Sequence, residues 1–126
     1  MTQNAPLRIV ICDDNDFLRM GLAVFIESYR DMTLVGEADN GEAAIRICAE
    51  VKPDVVLIDL IMAMDGMIAI PKIKQGNPDV WIVVLTNENN TERVQAALDA
   101  GAARYLPKTA MTEQVAEAIR GAKRAS

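Results

Sequence analysis

The sequence predicts a doubly wound α/β domain, a five-stranded parallel sheet with helices on both faces. Three observations lead there. Short β-branched runs alternate with longer amphipathic stretches from end to end. Three of those runs are apolar almost throughout, as strands covered on both faces must be. A length of 126 residues, 51% hydrophobic and 25% charged, matches one ordinary domain, and a single domain over 1–126 is expected.

The strands are read at LRIVIC, TLVGEA, DVVLID, VWIVVLT and ARYLPK, with the first, third and fourth central. Between them, helical spacing recurs at Leu18, Leu22, Phe25 and Ile26, then at Ala44, Ile47, Cys48 and Val51. It returns at Val94, Ala97 and Leu98, and at Val115, Ala118, Ile119 and Ala122. Asn40 and Thr112 are placed as N-caps, and Gly101 as a helix C-terminal glycine. The stretch from Asp65 to Gln75 contains Pro71, which lacks a backbone donor and crowds the preceding turn, so a short or kinked helix is expected there. The polar ending GAKRAS is expected to fray.

Composition excludes several functions. The net charge of −5 disfavours electrostatic binding to nucleic acid or anionic membrane by this domain. MTQNAPLRIVIC lacks the parts of a signal peptide, and no apolar run approaches spanning length, so a cytoplasmic location is expected. Cys12 and Cys48 fall inside apolar segments, as buried thiols of a reducing compartment do; a redox switch is the alternative. With no histidine, imidazole triads, imidazole-bound zinc and a phosphohistidine on this chain are all excluded. Chemistry must then run on carboxylates, hydroxyls, lysine or thiols.

In a doubly wound sheet, ligands bind outside the carboxyl ends of the strands near the point where strand order reverses. Those ends carry Asp13 and Asp14 after the first strand, Asp59 after the third, Thr86 after the fourth and Lys108 after the fifth. Three neighbouring carboxylates need a proton or a cation, and hard oxygen ligands suit Mg²⁺. A carboxylate can also accept a phosphoryl group, so Asp59 is the candidate nucleophile, with Lys108 and the Thr86 hydroxyl as candidate holders of phosphoryl oxygens. Each residue alone has an ordinary role as well. Asp13, Asp14 and Asp16 precede a helix and suit its dipole; Asp59 and Thr86 suit strand ends; Lys108 suits a solvated charge or an ion pair with one of the aspartates. Their shared sheet edge is what those separate roles leave unexplained.

With these residues in place, the chain resembles the receiver domain of two-component response regulators from Leu7 to about Arg120. It is most similar to the NarL/FixJ (LuxR-type) subfamily, through LRIVICDDNDFLRMGLAVFIE, VGEADNGEAAIRICAEVKPDVVLIDLIM and ALDAGAARYLPK. The resemblance implies a flavodoxin-like fold with strand order 2-1-3-4-5. It implies Asp59 as phosphoacceptor, and Mg²⁺ held by Asp14, Asp59 and the backbone carbonyl of Ile61, with Asp13 acting mainly through a metal-bound water. It implies Thr86 and Lys108 on the phosphoryl group, and Tyr105 as a switch aromatic; a plain edge-strand role for Tyr105 stands beside that.

The implied partner is a sensor histidine kinase. The implied response is a change in the face formed by the fourth helix, fifth strand and fifth helix. A homodimer is a family expectation, and DNA would be met only through a helix-turn-helix output domain outside these residues. The domain would catalyse only its own phosphorylation and dephosphorylation.

Three departures stand out. Met62–Met64 stands where Met-Pro is common and predicts a loop that is less rigid or differently shaped. Asn87 stands where a small residue is usual, either narrowing access to Asp59 or lying exposed in a loop. Pro107 precedes Lys108 instead of following it, which puts the lysine's reach in question. If Asn87 and Pro107 spoil the pocket, the alternative is an interaction module that is not phosphorylated. Two enzyme or cofactor readings fare worse. A phosphatase would want a second acid where Ile61 stands, and a flavin site would want glycines and hydroxyls where DDNDFL stands.

Overall fold

The computed structural model describes residues 5–125. Five strands, β1 (Leu7–Cys12), β2 (Met32–Ala38), β3 (Val55–Ile58), β4 (Trp81–Thr86) and β5 (Arg104–Pro107), form one parallel sheet in the order β2-β1-β3-β4-β5. The helices are α1 (Asp16–Glu27), α2 (Gly41–Val51), α3 (Gly66–Gly76), α4 (Thr91–Asp99) and α5 (Thr112–Ala125).

Strand pleating divides the core into two halves, because successive side chains point to opposite faces. Val10, Cys12, Val56, Ile58, Ile82 and Val84 meet Ala44 and Cys48 of α2, Ala69, Ile70 and Ile73 of α3, and Ala97 of α4. Ile9, Ile11, Val55, Leu57, Val83 and Leu85 meet Ile26 of α1 and Val115, Ala118 and Ile119 of α5. The apolar helix stripes are thus the surfaces that cover the sheet, and burying them from water is the main force holding the layers together.

Several local expectations change. Asn40 caps α2 as expected, its side chain accepting from the Ala43 amide at 2.8 Å. Thr112 is not a cap. It is the first helical residue of α5, and the preceding Met111 amide donates to the Gln114 side chain at 2.9 Å, the reciprocal half of a capping box. Gly101 adopts φ +127°, a conformation open to glycine at little cost. Pro71 does not shorten α3, which runs for 11 residues through it with three buried apolar side chains, Ala69, Ile70 and Ile73. GAKRAS is helical through Ala125, and Ser126 lies outside the described residues.

Strand order reverses between β2-β1 and β1-β3, so β1 and β3 lie side by side at the switch point. One further bond extends each ladder past its strand: the Asp59 amide donates to the Cys12 carbonyl, and the Asp13 amide to the Ala38 carbonyl, both at 3.0 Å. This fixes the backbones of both aspartates where the apolar strands stop.

Candidate functional site

Asp13, Asp59 and Thr86 are the only buried polar or charged side chains among the described residues, and all three belong to the C-terminal sheet edge. Asp59 is 3% exposed. Its Oδ1 accepts from the Thr86 hydroxyl at 2.5 Å and from the Ile61 amide at 3.0 Å. Its Oδ2 lies 2.7 Å from Lys108 Nζ, which also lies 2.8 Å from Asp13 Oδ2. The remaining Asp13 oxygen accepts from the Asn15 amide at 2.9 Å. Every buried side-chain polar atom among the described residues has a partner, as folding away from water demands.

Burial pushes the Lys108 ammonium toward losing its proton, but its hydrogen bonds to Asp13 and Asp59 outweigh that and hold its pKa above the ordinary lysine value. The lysine therefore remains a cation between two carboxylates. It reaches both despite Pro107: the exposed proline pairs with Thr86 in the ladder, and the Lys108 amide still donates to the Thr86 carbonyl at 3.2 Å. The doubt about the lysine's reach is resolved by this geometry. Asn87 is exposed, which agrees with the loop reading of that residue.

Asp14 completes the acidic group. Asp13, Asp14 and Asp59 each offer an oxygen within 4.8 Å of the others, with Asp14 facing solvent. One ammonium cannot neutralise three carboxylates, and a divalent cation with a preference for hard oxygens fits the remainder. The Ile61 amide on Asp59 Oδ1 places that residue's backbone beside the same carboxylate.

The loop after β3 is set by close backbone approach. A Cβ on Gly66 would meet the Asp59 carbonyl at 2.4 Å, and one on Gly41 would meet the Met64 carbonyl at 2.2 Å. Met64 itself adopts φ +49°, an uncommon conformation for a side chain of its size. Tyr105 is half-buried on β5 and packs against the core beneath α2, α3 and α4, apart from the contacts just described.

Sequence reasoning brought Asp13, Asp14, Asp59, Thr86 and Lys108 to one edge, and the structure does place them together. It missed the residues that hold the loops. Asn15, not an aspartate, caps α1 by accepting from the Leu18 amide at 3.0 Å. Asp65 caps α3 by accepting from the Met67 amide at 2.7 Å, and Asn90 caps α4. Each is an Asn or Asp directly before a helical stripe, so the signal was present.

Comparison with known proteins places the chain in a family. The chain is 40% identical over 119 residues to the transcriptional regulatory protein LiaR of Bacillus subtilis, covering 94% of this chain and 56% of that one. It is 36% identical over 116 residues to the response regulator protein VraR of Staphylococcus saprophyticus, covering 91% and 56%. This chain thus spans a little over half the length of those relatives. The signal receiver domain of the putative response regulator NarL from Mycobacterium tuberculosis superposes with a TM-score of 0.86 at 28% identity, over 94% of this chain and 98% of that one. Residues 9–120 match the response regulator receiver domain, and the chain belongs to that family, within its NarL/FixJ branch.

Proposed function

We propose that Asp59 accepts a phosphoryl group from the phosphohistidine of a sensor histidine kinase. The added charge then biases the face formed by α4, β5 and α5 toward a form that controls an output, which we take to be transcription. The observation that carries this reading is the buried Asp59 carboxylate held between Lys108 and Thr86, with Asp13 and Asp14 alongside. The single receiver domain would lie in the cytoplasm with its kinase. Among the described residues no helix is long and apolar enough to cross a membrane.

In the transfer, an Asp59 carboxylate oxygen attacks phosphorus, a new P–O bond forms, and the P–N bond to the donor imidazole breaks. Asp13, Asp14, Asp59 and the Ile61 carbonyl are the groups that would hold Mg²⁺, whose charge neutralises the acids and the phosphoryl oxygens. Lys108, already poised 2.7 Å from Asp59, stays protonated and turns to one phosphoryl oxygen. The Thr86 hydroxyl leaves Asp59 Oδ1 and donates to another. Tyr105, packed against the core cluster that also contains Ala97 of α4, would follow that shift. Hydrolysis of the aspartyl phosphate by the same groups would reset the domain, which acts on no other substrate.

The test is intact mass after incubation with a small phosphodonor and Mg²⁺, beside Asp59→Asn and a chelator control. One added phosphoryl group that requires Mg²⁺ and Asp59 is expected. A folded protein that takes none, and that also fails to bind beryllofluoride as a stable phosphoryl mimic, would be an unphosphorylated interaction module instead.

A further inference from the structure

Beside the pocket, the first turn of α4 places Arg93 between acids from two different loops. Its Nε donates to Glu88 Oε1 and its Nη2 to Asp65 Oδ2, each at 2.5 Å. Both acids have second engagements. The other Asp65 oxygen caps α3 through the Met67 amide, and the other Glu88 oxygen accepts from the Asn90 amide at 3.3 Å. The Glu88 amide then donates to Thr86 Oγ1 at 3.2 Å, and Thr86 Oγ1 donates to Asp59 Oδ1. An unbroken line of hydrogen bonds and ion pairs therefore runs from the cap of α3, through Arg93 and Glu88, to the acceptor carboxylate.

We infer that Arg93 is a positioning residue whose clamp on Asp65 and Glu88 holds the Thr86 hydroxyl on Asp59 and so slows phosphoryl acceptance. The inference rests on Asp59 being the phosphoacceptor. A threonine hydroxyl has one proton, so Thr86 cannot donate to Asp59 Oδ1 and to a phosphoryl oxygen together. For the second bond to form, the first must break, and the Glu88 amide that is bonded to the same oxygen must follow it or let go. With its carboxylate fixed by Arg93 and the Asn90 amide, Glu88 resists that movement. A contact made only in the unphosphorylated arrangement shifts the equilibrium toward it. Arg93 is 37% exposed and Glu88 15%, so the clamp is partly screened by water, and an effect of about two- to fivefold is the scale to expect.

The experiment compares the native protein with Arg93→Gln, Arg93→Lys, Asp65→Asn and Glu88→Gln. Asn at 65 keeps an N-cap acceptor, and Gln at 88 keeps an acceptor for Asn90, so these two remove the ion pairs and spare the loops. Two readouts are taken: the rate of phosphorylation by a small donor at saturating Mg²⁺, and hydrogen exchange of the Glu88 amide in metal-free, unphosphorylated protein. Arg93→Gln, Asp65→Asn and Glu88→Gln should each raise the rate about two- to fivefold and speed Glu88 exchange, while the core amide of Leu57 is unchanged. Arg93→Lys, which keeps the charge but not the fork, should fall between. A native protein that phosphorylates on Asp59 while Arg93→Gln matches or trails it overturns the inference. If the native protein takes no phosphoryl group, the phosphoacceptor reading fails separately; Glu88 exchange that is unchanged in all four variants overturns the clamp by itself.

Discussion

Two ion-paired clusters sit at opposite ends of the same sheet, alike in chemistry and different in surroundings. At the C-terminal edge Lys108 lies between the buried carboxylates of Asp13 and Asp59. At the N-terminal edge Arg120 of α5 holds Asp31, just before β2, through two hydrogen bonds of 2.7 and 3.1 Å, and lies 4.9 Å over the Tyr29 ring. Those two side chains are 38% and 32% exposed, so either partner alone can turn to water. The pocket groups have no such recourse. Stability alone would favour apolar residues there, because charges removed from water are costly even when paired. A buried acidic cluster at the switch point makes sense where its charge is used.

Breaking each cluster should expose that difference, and the largest effect belongs to Lys108→Met. Removing the ammonium leaves two buried carboxylates facing each other, and a loss of about 3–5 kcal/mol in urea unfolding is expected. The pH dependence has a defined sign. The Lys108 pKa is raised above 10.5, so its contribution is complete below that value and is lost as pH rises through the raised one. A native protein whose stability falls at alkaline pH, beside a Lys108→Met variant lacking that fall, is the expected pair of curves.

Gly66→Ala comes next, because the added methyl would meet the Asp59 carbonyl at 2.4 Å, a backbone atom that cannot swing aside. About 1–3 kcal/mol should be lost, with slower phosphorylation because Asp59 itself must shift. Thr86→Val keeps the shape and removes the hydroxyl bonded to Asp59 and to the Glu88 amide. Its cost should be about 1–2 kcal/mol by thermal or urea melts.

Asp31→Asn should be the mildest, at roughly 0.2–1 kcal/mol and shrinking with salt. The Arg120 guanidinium outweighs partial burial and holds the Asp31 carboxyl below its ordinary 3.8. Its contribution is thus present above that value and fades as pH falls through the lowered one. An Asp31→Asn loss as large as that of Lys108→Met would erase the comparison.

The sheet was legible because its signals are dense. β1 was bounded to the residue, and the buried strands read as unbroken apolar runs. The pocket was legible for a related reason: each residue alone has an ordinary role, but four charges and one threonine hydroxyl at the ends of apolar runs share one edge. The loops were less so. Thr112 looked like a cap by residue type, yet the reciprocal bond from Gln114 belongs to Met111. Pro71 argued for a short or kinked helix, but α3 runs for 11 residues through it, with Ala69, Ile70 and Ile73 holding it against the sheet, tertiary burial overriding local preference. Arg93 was invisible, since its partners stand five and 28 positions away with no periodicity to link them. Met64 takes a left-handed conformation that sequence assigns to glycine or asparagine, and close packing against Gly41 accompanies it.

The central claim is that the acids at the C-terminal edge are kept for a cation and a phosphoryl group at a cost in stability. Urea unfolding with and without millimolar Mg²⁺ tests it most directly, in the native protein, Asp13→Asn and Asp59→Asn. Binding to the folded state alone should raise the native midpoint, and each substitution should shrink or abolish that rise. A native midpoint indifferent to Mg²⁺, or an equal rise in all three proteins, would contradict the account.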